Sequence, residues 1–211
     1  MTPPFDFHTH RLDATGALIS VNPCRFVPEP GKWYSVGFHP WDLVEEPGAT
    51  DFNLLERCAS HPQVLAIGET GLDSRRGPDL SLQREVFARH LTLAASVGKP
   101  VVVHMVRTSH EILALRRTMG LTAVPLAIHG MRSNERVARQ QLDGGCYLSY
   151  GMRFNLAALQ VTPLDRLLIE TDDDELPIEE VAATVAAQLQ ISADDVIRQT
   201  VINAQRLLGL P

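Results

Sequence analysis

The feature that most constrains this chain is a recurring sequence of apolar run, loop and helix-spaced segment. The runs span residues 5–8, 18–21, 33–37, 64–68, 101–103, 125–128, 146–150 and 166–169. They are near-continuous in apolar character instead of alternating. That is the pattern of strands buried on both faces of a parallel sheet covered by helices. Between them, Leu82, Val86, Leu91, Ala94 and Val97 repeat as one helical face, stopped by Gly98. Ile178, Val181, Ala182, Val185 and Leu189 repeat in the same way after Pro177. Thr108 with Glu111, and Ser192 with Asp195, have the spacing of helix capping boxes, and Ser133 stands where it would cap another helix. The fold class expected is α/β, a TIM-type (β/α) barrel, with active residues at the C-terminal ends of the strands. The alternative is an open doubly wound sheet with a crevice at a strand-order reversal, but no glycine-rich dinucleotide fingerprint is present.

The chain has 211 residues. A full barrel typically takes about 250. One domain over residues 1–211 is expected, with no internal repeat. The shortage falls after the second strand, where Asn22-Pro23, Pro28, Pro30 and Gly31 leave little room for a helix. The barrel wall is therefore expected to be short and irregular near residues 18–33.

The content of 45% hydrophobic and 21% charged residues suits one full core. No apolar run approaches the roughly 20 residues of a bilayer span. Met1-Thr2-Pro3-Pro4 lacks the basic-then-apolar pattern of a signal peptide. Cys24, Cys58 and Cys146 are far apart with no CxxC, so a disulfide framework is not expected and a reducing cytoplasm fits. The net charge of -6 argues against a passive nucleic-acid coat protein. It leaves room for an enzyme acting on phosphates, since bound divalent cations add local positive charge. Nothing in the sequence calls for an obligate protein partner.

The strand ends carry the chemistry. His8 and His10 lie two apart, so on a strand both imidazoles face one side. Later strand candidates end in or next to Glu69, His104, His129 and Asp172. Four imidazoles and two carboxylates suit two divalent ions, with Glu69 or Asp172 able to bridge them. A mixed nitrogen and oxygen set favours Zn, Mn, Fe or Ni over Mg or Ca. Two ions about 3.5–4 Å apart equip a site for hydrolysis. Arg11, Arg75, Arg76, Arg107, Arg132 and Arg153 all fall within a few residues of a strand end. Guanidinium grips phosphate bidentately, which suggests an anionic substrate with more than one phosphate. His39 follows a strand and either contacts substrate or orients the rim. Asp73 either holds a ligand in place or caps its own loop. His61, before Pro62, is read as a surface histidine, His90 and His110 as structural, and Cys146 as core.

Taken together, six segments resemble the TatD family of metal-dependent deoxyribonucleases. They are Asp6-Phe7-His8-Thr9-His10, Gly37-Phe38-His39-Pro40, Gly68-Glu69-Thr70-Gly71-Leu72-Asp73, Lys99-Pro100 through His104, His129-Gly130 and Glu170-Thr171-Asp172. Asn203 to Leu208 resembles the family's last helix. The resemblance implies a TIM-type barrel and hydrolysis of DNA phosphodiesters, often as a 3′-to-5′ exonuclease. It further implies one ion on His8, His10, Glu69 and Asp172 and a second on Glu69, His104 and His129. Asp172 would orient the attacking water or accept its proton. The chain departs from the family pattern in four places: Arg11 before Leu12-Asp13, a shortened segment after the first strand, Gly130-Met131-Arg132, and Asp173-Asp174 after the final aspartate. The ligand positions are intact, and the loops that set specificity differ. The alternatives to a nuclease are hydrolysis of a small-molecule ester, lactone or amide, and a non-catalytic barrel that binds metal or a partner.

Overall fold

Among the described residues, eight strands and seven helices alternate through most of the chain. The computed structural model describes residues 5–44 and 46–210, and the Met1–Pro4 segment read above for a leader lies outside them. The strands are β1 Asp6–Thr9, β2 Ala17–Val21, β3 Trp33–Val36, β4 Val64–Asp73, β5 Val101–Val106, β6 Leu126–Ile128, β7 Tyr147–Tyr150 and β8 Leu167–Ile169. The helices are α1 Ala49–Ala59, α2 Leu80–Val97, α3 Ser109–Thr118, α4 Glu135–Asp143, α5 Leu156–Gln160, α6 Ile178–Leu189 and α7 Ala193–Leu208. The strands follow one another in the sheet in chain order, β1 to β8. This is the α/β, TIM-type barrel class that the apolar runs imply. Where the sequence leaves no room for a helix, a single 3-10 turn, Pro23–Arg25, joins β2 to β3. β2 itself is a fully buried strand, and its pairing with β1 shifts register between Asp6 and Thr9.

Contacts divide the chain into two compact units, one taking in the chain up to Ile19 and from Ala127 onward, the other Ser20–Leu126. In the first, β1 pairs with β2, β6 with β7 and β7 with β8, all parallel. β1 also meets the end of β8. Thr9 bridges to Asp172, His10 N–H donates to the Asp172 carbonyl, and Asp172 N–H donates to the His8 carbonyl. Phe7, Leu148, Tyr150 and Ile169 fill the interior, with Val181, Val185 and Val196 from the helices. Buried Asn203 on α7 donates to the carbonyls of Leu164 and Leu167, both at 2.7 Å, and so fixes the helix to the start of β8.

In the second unit, β3, β4 and β5 pair in parallel over a core of Val36, Ile67, Leu72, Val86, Phe87, Leu91 and Val101–Val103. β4 runs for ten residues. Its neighbours approach its glycines very closely. A Cβ on Gly71, where φ is +150°, would lie 2.0 Å from the His104 carbonyl oxygen. Only glycine permits β4 and β5 to sit this close in that conformation.

Two expected caps differ. Thr108 precedes α3 but makes no cap, because its hydroxyl donates to the carbonyl of Leu72 at 2.9 Å. The N-cap of α4 is Asn134, one residue after Ser133, with its side chain accepting from Val137 N–H. Ser192 caps α7 as expected. The five-residue helix α5 carries too few turns to leave a periodic signal.

His90 is structural, as its place on α2 suggests. Its ring is fully buried, donating from Nδ1 to the Val86 carbonyl at 2.7 Å and accepting from Phe38 N–H at Nε2 at 3.0 Å. That pairing fixes the neutral tautomer. Protonation would aim a second N–H at a backbone donor, and burial holds the imidazole down to about 4. A depressed folded value stabilises the protein above the ordinary histidine range and loses that contribution as pH falls toward 4. Urea unfolding between pH 6.5 and 4 should show a loss on the order of 3 kcal/mol from this group. His90→Gln should flatten this acid limb, and an unchanged limb would exclude His90 as its source.

Candidate metal centre

In the first unit, the β1–β8 pairing sets the geometry. His8 lies on β1 and His10 just beyond it. Their Nε2 atoms each stand 3.8 Å from Oδ1 of Asp172, and the rings are 4.9 Å apart in an edge-on arrangement. His129, after β6, stacks obliquely on His8 at 4.3 Å. Separations of 3.8 Å are too long for hydrogen bonds. They suit donor atoms arranged around one ion with bonds of about 2.1 Å. His8, His10 and Asp172 form one of the groups able to hold a metal. Arg132 Nη2 lies 3.5 Å from the other Asp172 oxygen.

Two buried carboxylates support this group, and neither stood out in the sequence as a site residue. Asp6 accepts from His8 N–H at 3.3 Å, Thr171 N–H at 3.0 Å and the Thr171 hydroxyl at 2.5 Å, tying β1 to the residue before Asp172. Burial pushes its carboxyl up to about 6 against the pull of the Thr171 bonds. Glu170 accepts from Gly130 N–H at 2.5 Å and lies 3.6 Å from His129 Nδ1. Burial would raise its carboxyl, but His129, His8 and Ser149 outweigh burial and hold it below the usual range. Glu170 is thus placed to orient the His129 ring, the usual office of a carboxylate behind a ligating imidazole.

In the second unit, Glu69 on β4 and His104 on β5 are both buried. Glu69 Oε1 is 2.8 Å from His104 Nδ1 and 3.0 Å from His39 Nε2. His39, His104 and Glu69 form a second group able to hold a metal. The sequence assigned His39 to substrate contact or rim orientation. It lies against His104 at 3.2 Å, and its ligand-like placement arises because the Pro40–Asp42 turn folds it inward with Nδ1 accepting from Trp41 N–H. Asp73 contacts His104 and also caps its own loop. One oxygen is 3.2 Å from His104 Nε2 and accepts the Trp41 indole N–H at 2.7 Å, while the other caps the loop through Arg75 and Arg76 N–H. Burial works against its charge, but the Trp41, Arg75 and His104 bonds outweigh it and hold the carboxyl low. Gln83, buried and unremarked in the sequence, clamps the same loop by bonding Asp73 at both backbone atoms and the carbonyls of Arg76 and Pro78.

The arginines distribute unevenly. Arg76 lies over the Trp41 ring at 3.8 Å, and Arg75 is exposed beside it. Arg107 is exposed at the end of β5 with φ 56°. Arg153 reaches Asp174 at 3.8 Å and Arg11 donates to the Glu175 carbonyl at 3.2 Å. Lys99, part of the family pattern, is structural: its ammonium donates to the carbonyl of Ala59 at the end of α1.

Comparison with known proteins places the chain in a family. A family model described as TatD related DNase matches residues 27–209. The metal-dependent hydrolase YabD of Bacillus subtilis is 28% identical over 198 residues, covering 83% of this chain and 77% of that protein. The protein named 3′-5′ ssDNA/RNA exonuclease TatD from Cronobacter turicensis is 35% identical over 156 residues, covering 67% of this chain and 57% of that protein. Among solved structures, the TatD homologue YjjV of Escherichia coli superposes with a TM-score of 0.83 at 18% identity, covering 98% of both chains. A TatD family hydrolase of Entamoeba histolytica gives 0.78 at 15% identity over 99% of both, and at such identities the likeness is one of fold. By sequence over most of its length, the chain belongs to the TatD-related DNase family of metal-dependent hydrolases.

Proposed function

We propose that this chain hydrolyses phosphodiester bonds at the ends of DNA, as a 3′-to-5′ exonuclease, with two divalent ions held by His8, His10, Glu69, His104, His129 and Asp172. One observation carries the reading: Asp172 Oδ1 equidistant at 3.8 Å from two imidazole nitrogens, with an arginine on its second oxygen. The donor chemistry fits Zn, Mn, Fe or Ni, and Mg where carboxylates and water complete the shell. Such ions polarise the phosphoryl group and lower the pKa of a water. The name of the Cronobacter relative supports nucleic acid as the substrate.

The chain's own residues would then divide the work. Asp172, partly exposed beside His10, orients the attacking water and takes its proton. Glu69 would supply a buried carboxylate to the ions. His39, Arg75, Arg76, Arg107, Arg132 and Arg153 contact the substrate, with arginine forks on its phosphates. Asp73 keeps His104 aimed. The whole chain works as one hydrolase domain. Among the described residues no helix is long and apolar enough to cross a membrane. Three free thiols, two of them buried, suit a reducing compartment, and we place the enzyme's work in the cytoplasm.

Asp172→Asn should lower oligonucleotide turnover at least about a hundredfold, since it removes a proton acceptor. Its unfolding midpoint should stay close to that of the parent. The parent protein, reconstituted with Mn, Zn, Ni or Mg, should be assayed on oligonucleotides beside carboxylic esters, lactones and amides. Turnover of the carbonyl substrates with nucleic acid untouched would overturn the reading, and so would metal binding with no turnover.

An acidic chain gathers nucleic acid only through local arginines and bound cations. Binding should therefore be weak and steeply salt-dependent, and directed to strand ends. Nanomolar affinity for blunt duplex at physiological salt in a gel-shift titration would contradict this.

A further inference from the structure

Trp41 plays no part in the ligand groups described above, yet it is held as firmly as they are. It sits in the 3-10 turn Pro40–Asp42, directly after His39, and is 41% exposed. Its indole N–H donates to Asp73, and its ring meets His39 at 4.9 Å and His104 at 5.3 Å, both edge-on. The Arg76 guanidinium lies over its face at 3.8 Å. Arg76 is itself fixed at both backbone atoms, by Asp73 Oδ1 and by Gln83. The loop also presses on the turn, since a Cβ on Gly77 would lie 2.5 Å from the Pro40 carbonyl oxygen. The result is a pre-set aromatic plate, half open to solvent, with a cation stacked on it and imidazoles at its edge.

Such a plate has the chemistry of a nucleotide subsite. Aromatic rings and guanidinium planes stack on any unpaired base, and a guanidinium also carries phosphate. We propose that Trp41 and Arg76 form the subsite that stacks the terminal base of a single-stranded end, with Arg76 also holding the adjacent phosphate. The terminal pair of a duplex offers one outer face held in the stack, whereas the last base of a single strand can turn onto the plate, so the subsite would favour single strands. This inference rests on the nuclease reading given above. Because the plate is ordered before substrate arrives, little conformational freedom is lost on binding.

The test combines kinetics with a binding signal. Trp41→Leu should raise KM for a single-stranded oligonucleotide on the order of tenfold, with kcat nearly unchanged. Trp41→Phe, which keeps a ring but loses the bond to Asp73, should restore most of the affinity. Oligonucleotides with abasic residues at both termini should erase the difference between Trp41→Leu and the parent. In Trp33→Phe protein stripped of metal, Trp41 is the one remaining indole. Its emission should fall as single-stranded oligonucleotide is added, and fall less with duplex of the same length. If the parent cleaves oligonucleotides and Trp41→Leu has the same KM, the subsite is wrong and the nuclease reading stands. A fall in kcat without a change in KM, unrescued by phenylalanine, would reduce Trp41 to a support for Asp73. Equal quenching by duplex would remove the selectivity, and a parent inert on all nucleic acid would remove both readings.

Discussion

The pairing of the first strand with the end of the last is the constraint on which the first ligand group depends. Two backbone bonds and the Asp6–Thr171 contacts hold β1 and the segment after β8 in a single register. A slip of one residue would send His8 and His10 to the opposite face from Asp172. Asp6 therefore matters out of proportion to its size. Its carboxylate joins the backbone of His8 to both the backbone and hydroxyl of Thr171. Buried polar contacts of this kind specify one arrangement because any partly bonded alternative leaves a desolvated group unmatched.

The second unit reaches a similar end by other means. Here the glycines of β4 let β5 approach closely, which sets His104 against Glu69. Asp73 then links the His104 ring, the Trp41 indole and the Arg75–Arg76 loop in one hydrogen-bonded set, with Gln83 behind it. Carboxylates here are arranged in depth, some beside the imidazoles able to hold a metal and others behind them. That layering keeps the rings aimed.

Much of this was readable in the residues. The strand ends declared themselves because His104, His129 and Asp172 each interrupt or follow an apolar run, and the fold class followed from the runs alone. His39 was placed at the rim, but its approach to Glu69 depends on a three-residue turn whose geometry no periodicity encodes. Asp6, Glu170 and Gln83 look like ordinary polar residues until burial is known. Thr108 was misread as a cap because the carbonyl that claims it, on Leu72, lies 36 residues away. Trp41, a lone tryptophan in a loop, carries no signal without its neighbours. In each case the missing information was a contact between distant segments, which local spacing does not carry.

The central claim is that these imidazole and carboxylate groups bind two divalent ions through separable ligands. Elemental analysis of protein reconstituted with zinc and then dialysed tests it directly, run in parallel on Asp172→Asn and His104→Ala. The account predicts two ions per chain in the parent and about one in each variant, with native circular dichroism retained. Parent and variants all holding the same number of ions, or a parent that holds none, would contradict it.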